Sequence, residues 1–140
     1  MYGLAKSLLF KLEPERAHAI GLQLMRFLGD QRLDLPSLRI KTSFGKLCNP
    51  IGLAGGFDKD ATHLSVLEKL GFGYIVAGTV TKSPWPGNAK PRIARNPKEK
   101  TMINSMGFPN AGVEAFIHNI QSQKLSIPIV GSMSGQTIPD

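Results

Sequence analysis

The sequence predicts an α/β fold built from parallel βαβ units, and three observations carry that reading. Short apolar runs recur at residues 51–55, 74–78 and 127–131, each of a length that suits a buried strand. Stretches with apolar residues at helical spacing separate them. The order after residue 50 is therefore strand, helix, strand, long insertion, helix, strand. Alternation of this kind argues for a parallel sheet with right-handed crossovers. Three strands leave open whether that sheet stays open or closes into a barrel.

Two short helices are expected first, over residues 3–12 and 14–29. Glu13-Pro14-Glu15-Arg16 is a helix start, because proline suits the first helical position and acidic residues suit the first turn. Ala17, Ile20, Leu24 and Leu28 recur at helical spacing, and Leu22, Met25 and Phe27 widen the apolar surface. Gly29-Asp30 ends the helix, and residues 33–36 form a linker. Residues 38–42 and 46–48 flank Ser43-Phe44-Gly45 as a small hairpin. After the first buried run, Asp60 is the expected N-cap of a helix carrying Leu64, Val66, Leu67 and Leu70, with Gly71 as its stop. A polar excursion over residues 80–108 holds Pro84, Pro86, Gly87 and Pro91. A helix over residues 111–123 follows, capped by Asn110.

Composition narrows the function. Of the residues 41% are hydrophobic, enough for a packed core rather than a disordered tail. Net charge is +7, which fits an anionic membrane surface or a small anionic ligand. Nucleic acid fits less well, because no block of like charges occurs and aromatics do not interleave with the basic residues. Cys48 is the single cysteine, so an internal disulfide and a thiolate metal cluster are both excluded. Its expected role is a small buried apolar residue. No apolar run approaches the ~20 residues of a membrane span, and no signal-peptide core is expected.

In βα architectures ligands sit at the carboxyl ends of strands. That rule selects residues 55–59, 79–81 and 132–135. Gly55-Gly56 lets backbone approach a ligand closely, since glycine lacks Cβ and tolerates positive φ. Lys59 adds a cation beside it. A tight strand-to-helix turn with a solvated lysine explains the same residues. Thr79 and Thr81 could donate hydroxyl bonds or simply end a strand. The stretch 104–110 combines amides, glycine and an aromatic. Asn104 could read a planar polar ring through paired donors and acceptors, while Asn110 reads as a cap. His18, His63 and His118 share no metal-ligand spacing and read as solvated or core histidines. No nucleophile–base pair is apparent.

These residues together carry a resemblance. The run FKLEPERAH (10–18) resembles the amino-terminal signature of quinone-dependent (class 2) dihydroorotate dehydrogenases. GLAGGFDKD (52–60) resembles the flavin loop of that family, GTVT (78–81) with PGNAKPR (86–92) its next segment, and INSMGFPNAG (103–112) its substrate loop. The resemblance spans essentially the whole chain, in order.

The resemblance implies an oxidoreductase of de novo pyrimidine (UMP) biosynthesis, with FMN as cofactor and dihydroorotate, orotate and a membrane quinone as partners. It implies a partial (β/α)8 barrel over residues 37–140, preceded by a helical membrane- and quinone-contact segment over residues 1–36. Gly55, Gly56, Phe57, Asp58, Lys59 and Thr79 would bind FMN. Lys59 would lie between FMN and the substrate carboxylate, and Asn104, Ser105, Met106, Gly107 and Phe108 would bind orotate. The family usually places a flavin-binding asparagine where this chain has Ser132, which is shorter and has no amide. About three barrel strands are expected, with the family's serine base beyond residue 140 and no metal. The expectation is therefore a truncated enzyme, peripheral on the cytoplasmic face of the membrane or cytoplasmic. A non-catalytic membrane-surface or partner-binding fragment, or one half of a split enzyme, would explain the same features.

Overall fold

The computed structural model describes residues 2–135. Its centre is a three-stranded parallel sheet in the order β3-β4-β7, formed by Gly52–Leu53, Tyr74–Val80 and Ile129–Met133. The two crossovers contain α3 (Leu64–Glu68) and α4 (Val113–Gln121). Both run in the same direction across the sheet, so right-handed connections place both helices on one face. Leu64 and Leu67 of α3, Phe116 of α4, and Ile75, Ala77 and Val80 of β4 form the core there, with Ala61. Leu22 joins it from α2 (Pro14–Met25).

The two expected amino-terminal helices are present but shorter. Helix α1 covers Tyr2–Leu9, and α2 closes at Met25, so residues 26–28 are a turn rather than helix. Glu13 caps α2: its two carboxylate oxygens accept from the amides of Glu15 and Arg16 at 3.1 and 2.9 Å. This satisfies amides that the first turn leaves without partners. The small hairpin is β1 (Ile40–Thr42) and β2 (Gly45–Leu47), joined through Ser43 and Phe44. Phe44 stacks edge-on against Tyr74 at the amino end of β4, closing that end of the sheet.

Several expectations are corrected. The first buried run gives only two residues of half-buried strand, and Ile51 is exposed. Helix α3 starts four residues after Asp60, and Asp60 does not cap it; its carboxylate accepts from the amide of Ala111 instead. Asp58 holds the turn, accepting from the amides of Thr62 and His63 at 3.0 and 2.7 Å. Asn110 does not cap α4, whose N-cap is Gly112. Its side chain is buried and bonded to Thr81 and to the carbonyl of Phe108. The excursion 80–108 contains an antiparallel pair, β5 (Ile93–Asn96) and β6 (Thr101–Asn104), turned through residues 97–100. Strand β4 runs on to Val80, so Thr79 lies within it. Cys48 is half-buried rather than buried.

Among the described residues, no helix is long and apolar enough to cross a membrane.

Candidate functional site

The three segments chosen from the sequence meet at the carboxyl ends of the parallel strands. The loop after β3 folds back onto β4: the amide of Gly56 donates to the carbonyl of Gly78 at 3.0 Å, and the amide of Gly78 donates to the carbonyl of Asp58 at 3.2 Å. The amide of Ser134 donates to the carbonyl of Val80 at 3.0 Å, which draws the segment after β7 to the same place. Gly78 is required where it stands. Its φ is +100°, and a Cβ there would lie 2.4 Å from the carbonyl oxygen of Ser132.

This convergence produces a shallow, polar floor. Gly55 and Gly56 are exposed, and a Cβ built on Gly56 would meet nothing within 4 Å. The hydroxyls of Thr79 and Ser132 hydrogen-bond across the strands at 2.8 Å. Phe57 is half-buried, and its carbonyl accepts from Nε2 of His18 at 2.7 Å. A carbonyl only accepts, so Nε2 carries a proton, and the two rings stack edge-to-face at 4.9 Å. Asp58 belongs to this loop, yet its buried carboxylate is spent on the turn that enters α3. The floor therefore offers backbone and hydroxyl groups, not an anion.

Lys59 supplies the positive charge. Its ammonium donates to the carbonyl of Gly56 at 2.9 Å. Burial pulls its pKa below the ordinary lysine value. Glu15 opposes that shift, and Arg92 reinforces it. The cation is thus held over the floor with part of its hydration removed, which strengthens its attraction for an anionic ligand.

The 104–108 stretch is arranged by other means. Asn104 ends β6 and is exposed; its Oδ1 accepts from the amide of Met106 at 3.4 Å, and its Nδ2 has no partner among the described residues. Gly107 has φ +69°, and a Cβ there would lie 2.7 Å from Oδ1 of Asn88. Phe108 also has positive φ, at +52°, and is exposed. Asn88 fastens the stretch: its amide donates to the carbonyl of Met106 at 2.9 Å and its Nδ2 to that of Ser105 at 2.8 Å.

The roles of two important residues were not read from the sequence. Arg92 is buried and bonds Glu15 in bidentate fashion, both contacts at 2.8 Å. Arg92 holds the carboxyl of Glu15 down at about 2, with Lys90 contributing at 3.3 Å. His18 is the other: it links α2 to the glycine loop instead of being a bystander. Glu15 and His18 are three residues apart, hence on one helical face. That spacing was the available signal, and the apolar periodicity of α2 masked it. His63 occupies the turn before α3, on the same side as the strand ends, rather than lying inside a helix.

Enclosed space lies elsewhere. A cavity of about 310 Å3, lined by Arg32, Lys46, Cys48, Gly73, Ser126 and Pro128, sits at the amino ends of the strands. Ligands of parallel sheets bind at the opposite end, so the open floor is the candidate site.

Residues 37–140 match the family model described as dihydroorotate dehydrogenase. The chain is 43% identical over 127 residues to the dihydroorotate dehydrogenase (quinone) of Halorhodospira halophila, covering 86% of this chain and 37% of that protein. It is 43% identical over 130 residues to that of Stutzerimonas stutzeri, covering 89% and 38%. Among solved structures, the ligand-free DHODH of Eimeria tenella superposes with a TM-score of 0.78 at 29% identity, covering 89% of this chain and 38% of that one. The same enzyme in complex with ferulenol gives 0.73 at 32% identity, covering 87% and 35%. The chain thus spans less than two fifths of the length of the curated relatives it matches. With the family model covering its sheet and both site loops, this chain belongs to the dihydroorotate dehydrogenase family, a family of oxidoreductases whose matching relatives are of the quinone type.

Proposed function

We propose that the chain forms the flavin floor and one substrate loop of a dihydroorotate dehydrogenase that passes electrons to a quinone, with β3, β4 and β7 as consecutive strands of a (β/α)8 barrel. The observation that carries this reading is the convergence of Gly55, Gly56, Lys59, Thr79 and Ser132 at one end of the parallel sheet.

The residues suit FMN. The bare backbone at Gly55-Gly56 leaves room for a flat ring, because no side chain projects from it and no neighbour fills the space over Gly56. The Thr79 and Ser132 hydroxyls would bond its polar edge, with Phe57 and Asp58 shaping the loop from beneath. Bound there, FMN supplies a two-electron acceptor for the hydride of dihydroorotate. Lys59 would hold the substrate carboxylate beside that ring, since a partly desolvated ammonium attracts an anion strongly. Asn104, with Nδ2 uncommitted, would read the polar edge of orotate, and the 105–108 backbone would line the ring. The proton of the substrate must go to a base, and none of the described residues occupies that role. This chain's share of the chemistry is binding and electrostatics.

The amino-terminal helices are proposed as the membrane and quinone side of the protein. Their exposed face carries Leu8, Phe10, Ile20, Leu24 and Phe27 among Lys6, Lys11, Arg16 and Arg26, a pattern suited to lying on an anionic bilayer.

The test is a flavin titration followed by an assay of dihydroorotate-dependent quinone reduction with the purified chain. Saturable FMN binding, with Lys59→Ala weakening orotate binding more than FMN binding, is the expected result. No FMN binding at all would refute the floor assignment. Sustained turnover would refute the reading that no described residue serves as the base.

A further inference from the structure

We infer that the Glu15–Arg92 ion pair is a positioning device, through which helix α2 sets the placement of the 104–108 loop. The inference rests on the reading of that loop as the substrate loop.

The geometry is unusually committed. Arg92 uses Nε and Nη2 on the two oxygens of Glu15, at 2.8 Å each. Its Nη1 donates to the carbonyls of Pro86 and Asn88 at 2.7 and 3.0 Å. Its own carbonyl accepts from the amide of Ser105 at 2.9 Å. Asn88, held by that guanidinium, in turn binds the carbonyls of Ser105 and Met106. One side chain therefore connects α2 to both segments that embrace residues 105–107. Little slack remains: a Cβ on Gly87 would lie 2.4 Å from the carbonyl oxygen of Met106 and 2.8 Å from Nη1 of Arg92.

The arrangement needs arginine. A guanidinium is a planar fork with five N–H donors, so it can grip a carboxylate with one edge and carbonyls with the other. Lysine keeps the charge but not the fork. With the Arg92 side chain 7% exposed, the carboxylate of Glu15 is the counter-charge that fixes the orientation of its guanidinium. Loss of Glu15 frees the fork to turn, and the loop loses its template.

Deuterium exchange on the 140-residue chain tests this, with Arg92→Lys and Glu15→Gln compared to the parent. In both variants the rise in exchange rate at the amides of Asn88 and Ser105 is expected to exceed by at least about tenfold the rise at Ile75 and Ala77 in β4, which report the loss of global stability. Unchanged rates at Asn88 and Ser105 overturn the inference. An equal rise at Ile75 and Ala77 also overturns it, because the pair would then be a general stabiliser. In parallel, orotate is titrated into the FMN-loaded chain, where Arg92→Lys is expected to weaken binding about tenfold with FMN affinity unchanged. If the parent chain binds no orotate, the substrate-loop reading fails, while the exchange rates still decide whether Glu15 and Arg92 position the loop.

Discussion

The ammonium of Lys59 is partly withdrawn from water, and burial holds its pKa below the ordinary lysine value of 10.5. The unfolded chain therefore binds that proton more readily, and stability rises with pH between the folded value and 10.5. At neutral pH the charge is therefore a cost to folding. Lys59→Met is expected to raise Tm by roughly 2 °C at pH 7, with the gain shrinking as pH approaches 10. Thermal melts at both pH values check this, and a lowered Tm would show that the bond to Gly56 outweighs desolvation. Ser132 offers a second check at this scale. Its hydroxyl meets Thr79 at 2.8 Å, whereas an asparagine there would extend an amide beyond that hydroxyl. Ser132→Asn is expected to tighten FMN binding roughly fivefold, the worth of about one hydrogen bond, in a fluorescence titration. Unchanged affinity would remove this position from the site. That Gly55 to Lys59 and Thr79 meet at one end of the sheet was legible in the sequence, because strand ends need only local strand assignment. Arg92 was not, since its meaning depends on a carboxylate 77 residues earlier.

Elements follow the same division between local and distant causes. The parallel strands and their helices were legible from periodicity, because β4 and α4 each bury one face against the core. The β5–β6 pair was not legible: its residues are largely exposed, so no period-two apolar pattern marks it. The early end of α2 has the same origin, since Phe27 and Leu28 continue the apolar spacing without a surface to bury against. Besides Leu22 in the core, α2 is anchored by polar contacts at Glu15 and His18. Glu15 has its folded pKa lowered from 4.5 to about 2, chiefly by Arg92. Its contribution is fully present above 4.5 and is lost as pH falls through about 2. Glu15→Gln is expected to destabilise the chain by about 3 kcal/mol at pH 7, because it leaves the buried guanidinium unpaired. The gap between parent and variant should narrow as pH drops from 4.5 toward 2. Urea melts at pH 7, 4 and 3 measure it, and a constant gap would place the cost in packing rather than in charge.

At the scale of the whole molecule, two apolar surfaces are left open, and they call for different occupants. One lies on the amino-terminal helices, where Phe27 is 87% exposed near Arg26. The other follows β7, which pairs with β4 alone among the described strands and leaves Val130 and Met133 exposed, the latter at 77%. An unpaired strand edge beside apolar side chains is a template for another chain. An apolar helical face fringed with cations suits a lipid surface. The two can be separated by substitution at fully exposed positions that leave the core untouched. Met133→Lys places a charge beside the edge and is expected to reduce concentration-dependent self-association in sedimentation velocity, with vesicle binding unaltered. Phe27→Asp removes one exposed aromatic that would enter the bilayer and adds a negative charge, so binding to phosphatidylglycerol–phosphatidylcholine vesicles should fall at least about tenfold. Its self-association should stay at the parent level. If instead Phe27→Asp abolishes association and Met133→Lys changes nothing, the helical face is where copies of this chain meet, and its assignment to the bilayer is wrong.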